Sequence, residues 1–104
     1  MSLENYPPAF FRLGLSIIEV QVRVLSQSNY EIFVKGDGSN VSADSLLNII
    51  NNYINHRFVQ VDSVEVYLYN VRTDSIYIQD KLNQEHDINA VVCVEDRYTN
   101  GYHM

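Results

Sequence analysis

The densest group of chemically capable side chains is Glu85-His86-Asp87, whose carboxylates and imidazole could act as acid–base groups or metal ligands. Three consecutive residues cannot all point into one site from regular structure. A metal would need further ligands, for which Asp80 and His103 are the candidates. The pattern favours solvated loop residues instead. Cys93 with His86 supplies a nucleophile and a base in composition only, because nothing identifies a third orienting group or an oxyanion hole. Cys93 stands among valines, where a thiol commonly serves as a small buried hydrophobe. His56 falls near the end of an expected helix, where positive charge suits the dipole. No HExxH, GxSxG or CxxC pattern occurs.

The stretch KGDGSNVS, from Lys35 to Ser42, lies between an expected strand and an expected helix, a place where free backbone N–H groups can bind phosphate. It lacks the GK[ST] ending of a P-loop and the glycine spacing of a dinucleotide fingerprint, and its Asp37 would repel an anion. It also lacks the spaced acidic ligands and terminal Glu of a calcium loop. Gly, Asp, Ser and Asn are ordinary turn residues, so a plain turn is expected. No cofactor or metal is assigned, and no enzymatic activity is expected.

The feature that does suggest a function is aromatic. In Val61–Ile78 (VDSVEVYLYNVRTDSIYI), Val64, Val66 and Leu68 fall on one side of a strand, and Tyr67 and Tyr69 on the other. The segment reads as a hairpin of strands Val64–Tyr69 and Ser75–Gln79, apolar on both faces. A sheet with one solvated face should be apolar on one side only. Tyr67, Tyr69 and Tyr77, supported by Phe33, therefore form a candidate interface. Three covers compete: the Phe10–Leu15 segment of the same chain, a second copy or another protein, and stacked single-stranded nucleic acid. Tyr and Phe are enriched in interface cores, which favours the second.

Charge bears on that choice. Seven Lys and Arg against thirteen Asp and Glu give a formal charge of −6 among 104 residues. The cations are scattered singly, whereas nucleic-acid backbones demand a positive patch and stacking platforms a basic groove. Direct nucleic-acid binding is not expected. An acidic inhibitor or immunity-type protein is the alternative reading, one that blocks a basic, nucleic-acid-processing partner with Asp80, Glu85, Asp87, Glu95 and Asp96.

The elements that must position these residues follow from periodicity. Residues 1–8 read as an extended arm around Pro7-Pro8. Ala9–Leu25 alternates, with a change of phase at Ile17-Ile18 that implies a bulge or sharp bend; the alternative is a short helix from Pro8 with the strand starting near Ser16. Tyr30–Lys35 completes a hairpin. Ser42 reads as an N-cap, and Leu46, Ile50, Tyr53 or Ile54, and Phe58 mark one amphipathic helix over Ser42–Arg57. Asp80–Asp87 reads as a polar connector, Ile88–Glu95 as a doubly covered strand, and residues 96–104 as a frayed tail.

The expected fold is α+β and two-layered: one amphipathic helix on a mostly antiparallel sheet of about five strands, in the order ββαβββ, within one domain spanning residues 1–104. That order resembles the β-grasp arrangement, on element order alone. A lone cysteine favours a reducing compartment. The N-terminus lacks a signal-peptide pattern, and no apolar stretch approaches the ~20 residues of a spanning helix. A cytoplasmic, non-enzymatic interaction or self-association module is therefore expected, with a second copy of itself as partner.

Overall fold

A computed structural model describes residues 6–95. Strand β1 (Ala9–Leu13) turns back into β2 (Ser16–Val24), followed by β3 (Asn29–Lys35), helix α1 (Ala43–His56), β4 (Ser63–Tyr69), helix α2 (Ser75–His86) and β5 (Asn89–Glu95). The class is α+β in two layers, with five strands in one sheet of order β1-β2-β3-β4-β5. The β1–β2 and β2–β3 pairings are antiparallel, and β3–β4 and β4–β5 are parallel. Among the described residues, no helix is long and apolar enough to cross a membrane.

The change of phase near Ile17-Ile18 is resolved as a reversal rather than a bulge or a helix. Leu13 pairs with Ser16 across Gly14-Leu15. Gly14 holds φ 65° while Leu15 keeps an ordinary negative φ, the pattern of a two-residue II′ hairpin turn that favours glycine at its first position. Helix α1 forms where expected. Ser42 caps it by accepting from the Ser45 N–H, and Leu46, Ile49, Ile50, Tyr53 and Ile54 are buried along one face.

The second expected strand of the hairpin, Ser75–Gln79, is instead the start of α2, and Asp80–Asp87 is its continuation and C-cap rather than a connector. The element order is therefore βββαβαβ, not ββαβββ, and the β-grasp likeness of order is lost with it. Local chemistry accounts for the difference. Asp74 accepts from the Tyr77 N–H at 3.1 Å, closing an N-cap. Ile78 and Leu82, one helical turn apart, are both fully buried, whereas Ile76 is 72% exposed, although strand alternation would bury it with Ile78. Asp87 ends the helix in the left-handed region at φ 52°, donating its N–H to the Asn83 carbonyl.

The core lies between the sheet and both helices. Ile18, Val20 and Val22 of β2, Ile32 and Val34 of β3, Val64, Val66 and Leu68 of β4, and Ala90 of β5 are buried against α1 and α2. All of these strand residues lie on one face, so both helices do too. The β3-to-β4 and β4-to-β5 crossovers step the same way across the sheet, and crossovers of one hand then place their helices on the same side. The Lys35–Ser42 loop is stitched to the end of β4. Gly36 and Gly38 donate their N–H groups to the carbonyls of Tyr69 and Asn70, and Val41 donates to that of Arg72. A Cβ on Gly36 would meet Val71 Cγ2 at 2.6 Å, so this strand-to-loop passage requires glycine.

The helical assignment of Ser75–His86 makes a differential prediction. Leu82→Ala should cost about 2–5 kcal/mol of unfolding free energy through cavity formation, while Ile76→Ala should fall within about 0.5 kcal/mol of the parent. Urea denaturation of both variants reads the difference; comparable losses would indicate a strand.

Candidate functional site

The face of the sheet opposite the helices carries the odd-numbered residues of β2 to β5, and the strand registers order them into rows running across the strands. The central row is Gln21, Phe33, Tyr67 and Cys93. On one side lie Glu19, Lys35, Tyr69 and Glu95, with Phe10 of β1 beside Glu19. On the other lie Arg23, Glu31, Glu65 and Val91.

The aromatic centre is ordered by stacking. The Phe33 ring lies 5.3 Å from that of Tyr67 at 14° and 6.3 Å from that of Tyr69 at 17°. The Arg23 guanidinium sits 5.4 Å from the Phe33 centroid, a cation–π contact, and also meets Glu31, with Nε 3.4 Å from Oε1. A groove of about 500 Å³ runs between Gln21, Arg23, Phe33, Lys35, Tyr69 and Asn70. Glu31 and Glu65 lie side by side on adjacent strands, an unfavourable like-charge pairing. The Tyr67 hydroxyl offsets part of it by donating to Glu65 Oε1 at 2.6 Å.

These carboxylates tune their neighbours. Donation to Glu65, with burial and the charges of Glu65 and Glu31 adding to it, pushes the Tyr67 hydroxyl well above the ordinary tyrosine range. Burial, then the charges of Glu65 and Glu95, raises the Cys93 thiol, which favours the less reactive protonated form.

Of the expected aromatic set, Phe33, Tyr67 and Tyr69 share this face and Tyr77 does not. Tyr77 belongs to α2 in the other layer, where its hydroxyl donates to Asp44 Oδ1 at 2.8 Å and Lys81 approaches its ring. The Phe10–Leu15 segment does not fold over the tyrosines. It extends the sheet as β1, with Phe11 and Leu13 packed toward the core and Phe10 66% exposed. Tyr6 lies on the helix side, stacked near Tyr53, tilted against Phe58 and donating its hydroxyl to the Arg57 carbonyl.

The acidic set is divided. Asp80, Glu85 and Asp87 belong to α2 and its cap, Glu95 faces the opposite side of the sheet, and Asp96 lies outside the described residues. His86 and Cys93 are likewise on opposite sides of the sheet. His86 Nε2 lies 2.7 Å from Asn51 Oδ1, and Asn51 donates to Glu85 Oε1 at 3.1 Å, so this trio clasps α2 to α1. In the Lys35–Ser42 loop, Ser39 donates to Asp37 Oδ1 at 3.0 Å, and the glycine N–H groups are engaged with β4.

Two side chains that shape the edge of the sheet escaped sequence reasoning. Asn83 brackets the outer edge of β5, accepting from the Ala90 N–H at 2.7 Å and donating to the Ala90 carbonyl at 3.1 Å. Gln79 accepts from the Val92 N–H at 2.9 Å. Their spacing of four residues on a helix was the available signal, hidden while Ser75–Gln79 read as a strand. No known protein family matches the chain, and no curated protein or solved structure matches it either.

The Tyr67–Glu65 bond has a measurable consequence. The folded state holds the Tyr67 proton more tightly than the unfolded chain does, so its stabilisation is complete below about pH 10 and disappears as pH rises through the higher folded value. Burial raises Tyr53 and the bond to Asp44 raises Tyr77 as well, so phenolate absorbance should show one tyrosine fewer titrating above that range in Tyr67→Phe, and one such tyrosine shifted downward in Glu65→Gln. A high-pH step unchanged in both variants would exclude the bond.

Proposed function

We propose that this chain is a non-enzymatic self-association module whose bare sheet face packs against a second copy of itself. The observation carrying this reading is the ordered Phe33–Tyr67 stack on a face over which no described element lies. Phe10, Ile17 and Val91 on the same face are 66%, 49% and 42% exposed. Flat aromatic side chains of this kind supply contact area at small entropic cost and are favoured anchors of protein interfaces.

The other common route to sheet association is strand addition at an edge. At β5 that route is obstructed, since Asn83 and Gln79 occupy the outward backbone groups of Ala90 and Val92. Association through the face fits this arrangement better than association through that edge. A second copy suits the face because it carries both signs of charge, with Arg23 and Lys35 set among Glu19, Glu31, Glu65 and Glu95. A single cysteine fits a reducing compartment, and we place the module in the cytoplasm on that basis. The inhibitor reading is less favoured, because its carboxylates are split between α2 and the opposite side of the sheet.

Sedimentation velocity over a micromolar concentration series tests the proposal. The parent chain should be dimeric, and Phe33→Ala or Tyr67→Ala should each weaken association by about 2 kcal/mol or more, roughly thirtyfold. Circular dichroism should stay native, since neither ring belongs to the core. A parent chain that is monomeric throughout the series would sink the reading.

A further inference from the structure

Resting on the self-association reading, we infer the symmetry of the dimer: a two-fold axis that lies along the Gln21–Phe33–Tyr67–Cys93 row, across the strands. Two sheets packed face to face about an in-plane two-fold have two simple choices of axis, parallel to the strands or perpendicular to them. The registers distinguish them by charge.

An axis parallel to the strands, between β3 and β4, keeps each row over itself and exchanges β3 with β4 and β2 with β5. It sets Glu31 over Glu65 and Glu19 over Glu95, like charges in both places. The perpendicular axis keeps each strand over itself and exchanges the two outer rows. Lys35 of one copy then faces Glu31 of the other, Arg23 faces Glu19, and Tyr69 faces Glu65. The symmetry makes each ion pair twice. Phe33 and Tyr67 meet their own counterparts on the axis, which places the most apolar row at the centre and the charges around it.

A second observation points to the same pairing. Glu31 Oε1 is buried without a hydrogen-bond donor among the described residues. The Arg23 Nε at 3.4 Å gives it an ion-pair contact only. Beside it stands the like-charged Glu65. A carboxylate covered in this way, with a like charge beside it, is short of compensating positive charge. The perpendicular axis brings the Lys35 ammonium of the other copy over this position, where it would offset the charge of both carboxylates. Within each sheet Glu19 neighbours Lys35 and Arg23 neighbours Glu31, so the facing pairs complete an alternating square of charges.

Exchange of charges tests the axis. Lys35→Glu and Glu31→Lys should each weaken self-association by about tenfold per reversed pair. Mixed in equal amounts, the two variants should form a heterodimer, because every facing pair is again of opposite sign. The double variant Lys35→Glu/Glu31→Lys should self-associate for the same reason. As an independent readout, Cys93 is the only cysteine. A short bis-maleimide should therefore link parent copies through Cys93 above Cys93, whereas the parallel axis would separate these thiols by several strands. A dimeric parent whose mixed variants stay apart, or which fails to cross-link, would overturn the axis while leaving the self-association reading standing. A monomeric parent would overturn both.

Discussion

Two parallel crossovers taken in the same direction are the constraint on which the rest of this molecule depends. Strand β3 leads through α1 to β4, and β4 leads through α2 to β5, each new strand adding to the same side of the sheet. A reversal of direction between them would have sent one helix to each face, the arrangement that covers doubly wound sheets. With none, both helices crowd onto the face of Val20, Ile32, Val66 and Ala90, and the sheet has one buried side. That no described element lies over the other face is thus a consequence of topology.

The weaker of the two helices shows how tertiary contacts replace propensity. Only Ile78 and Leu82 of α2 are buried, and its first turn contains Ile76 and Tyr77, both better suited to strands. What holds it is a set of specific bonds: the Asp74 cap, the Asn51–His86 clasp to α1, and the Asn83 and Gln79 bonds to β5. Those last two also address the hazard of an exposed edge. Unpaired strand groups invite another strand, and side-chain amides that mimic a strand's own donors and acceptors remove the invitation. One helix therefore contributes to the core and protects the edge beside it.

Much of the build was legible in the sequence because it rests on local signals. Ser42 and the Leu46–Ile50–Ile54 spacing defined α1 to within a residue at each end, and the two-layer α+β class followed from periodicity. The count of about five strands agrees, although the expected Ser75–Gln79 strand is the start of α2 and the expected Ala9–Leu25 strand is two. The change of phase read at Ile17-Ile18 signalled a break in the strand but not its place or kind, which is a hairpin turn at Gly14-Leu15. Failure came where two periodicities overlapped. Ile76 and Ile78 alternate like a strand, while Ile78 and Leu82 recur like a helix, and only the Asp74 cap separates the alternatives. From that misreading came the misplacement of Tyr77, which strand alternation set beside Tyr69 and which the helix carries to the other layer. Phe33, Tyr67 and Tyr69 were legible because period two is unambiguous within β3 and β4. The rows that surround them were not, since register depends on pairings between strands distant in sequence.

The composition of the bare face also bears on the kind of association it can support. A face lined only with valine and isoleucine would resemble half a core, and its monomer would be insoluble or obligately paired. Here Glu19, Arg23, Glu31 and Lys35 alternate in sign around Phe33 and Tyr67, so each monomer can hydrate the rim of the patch when alone. Desolvating those charges on association costs much of what their attraction returns. In the proposed dimer the aromatic row would then supply most of the affinity, and the charges mainly the choice of partner and orientation. Such a division suits the proposed dimer, in exchange with its monomer. Under that proposal a net acidic chain would recognise itself through opposite charges held in complementary places on the face, even though its net charge of −6 opposes association.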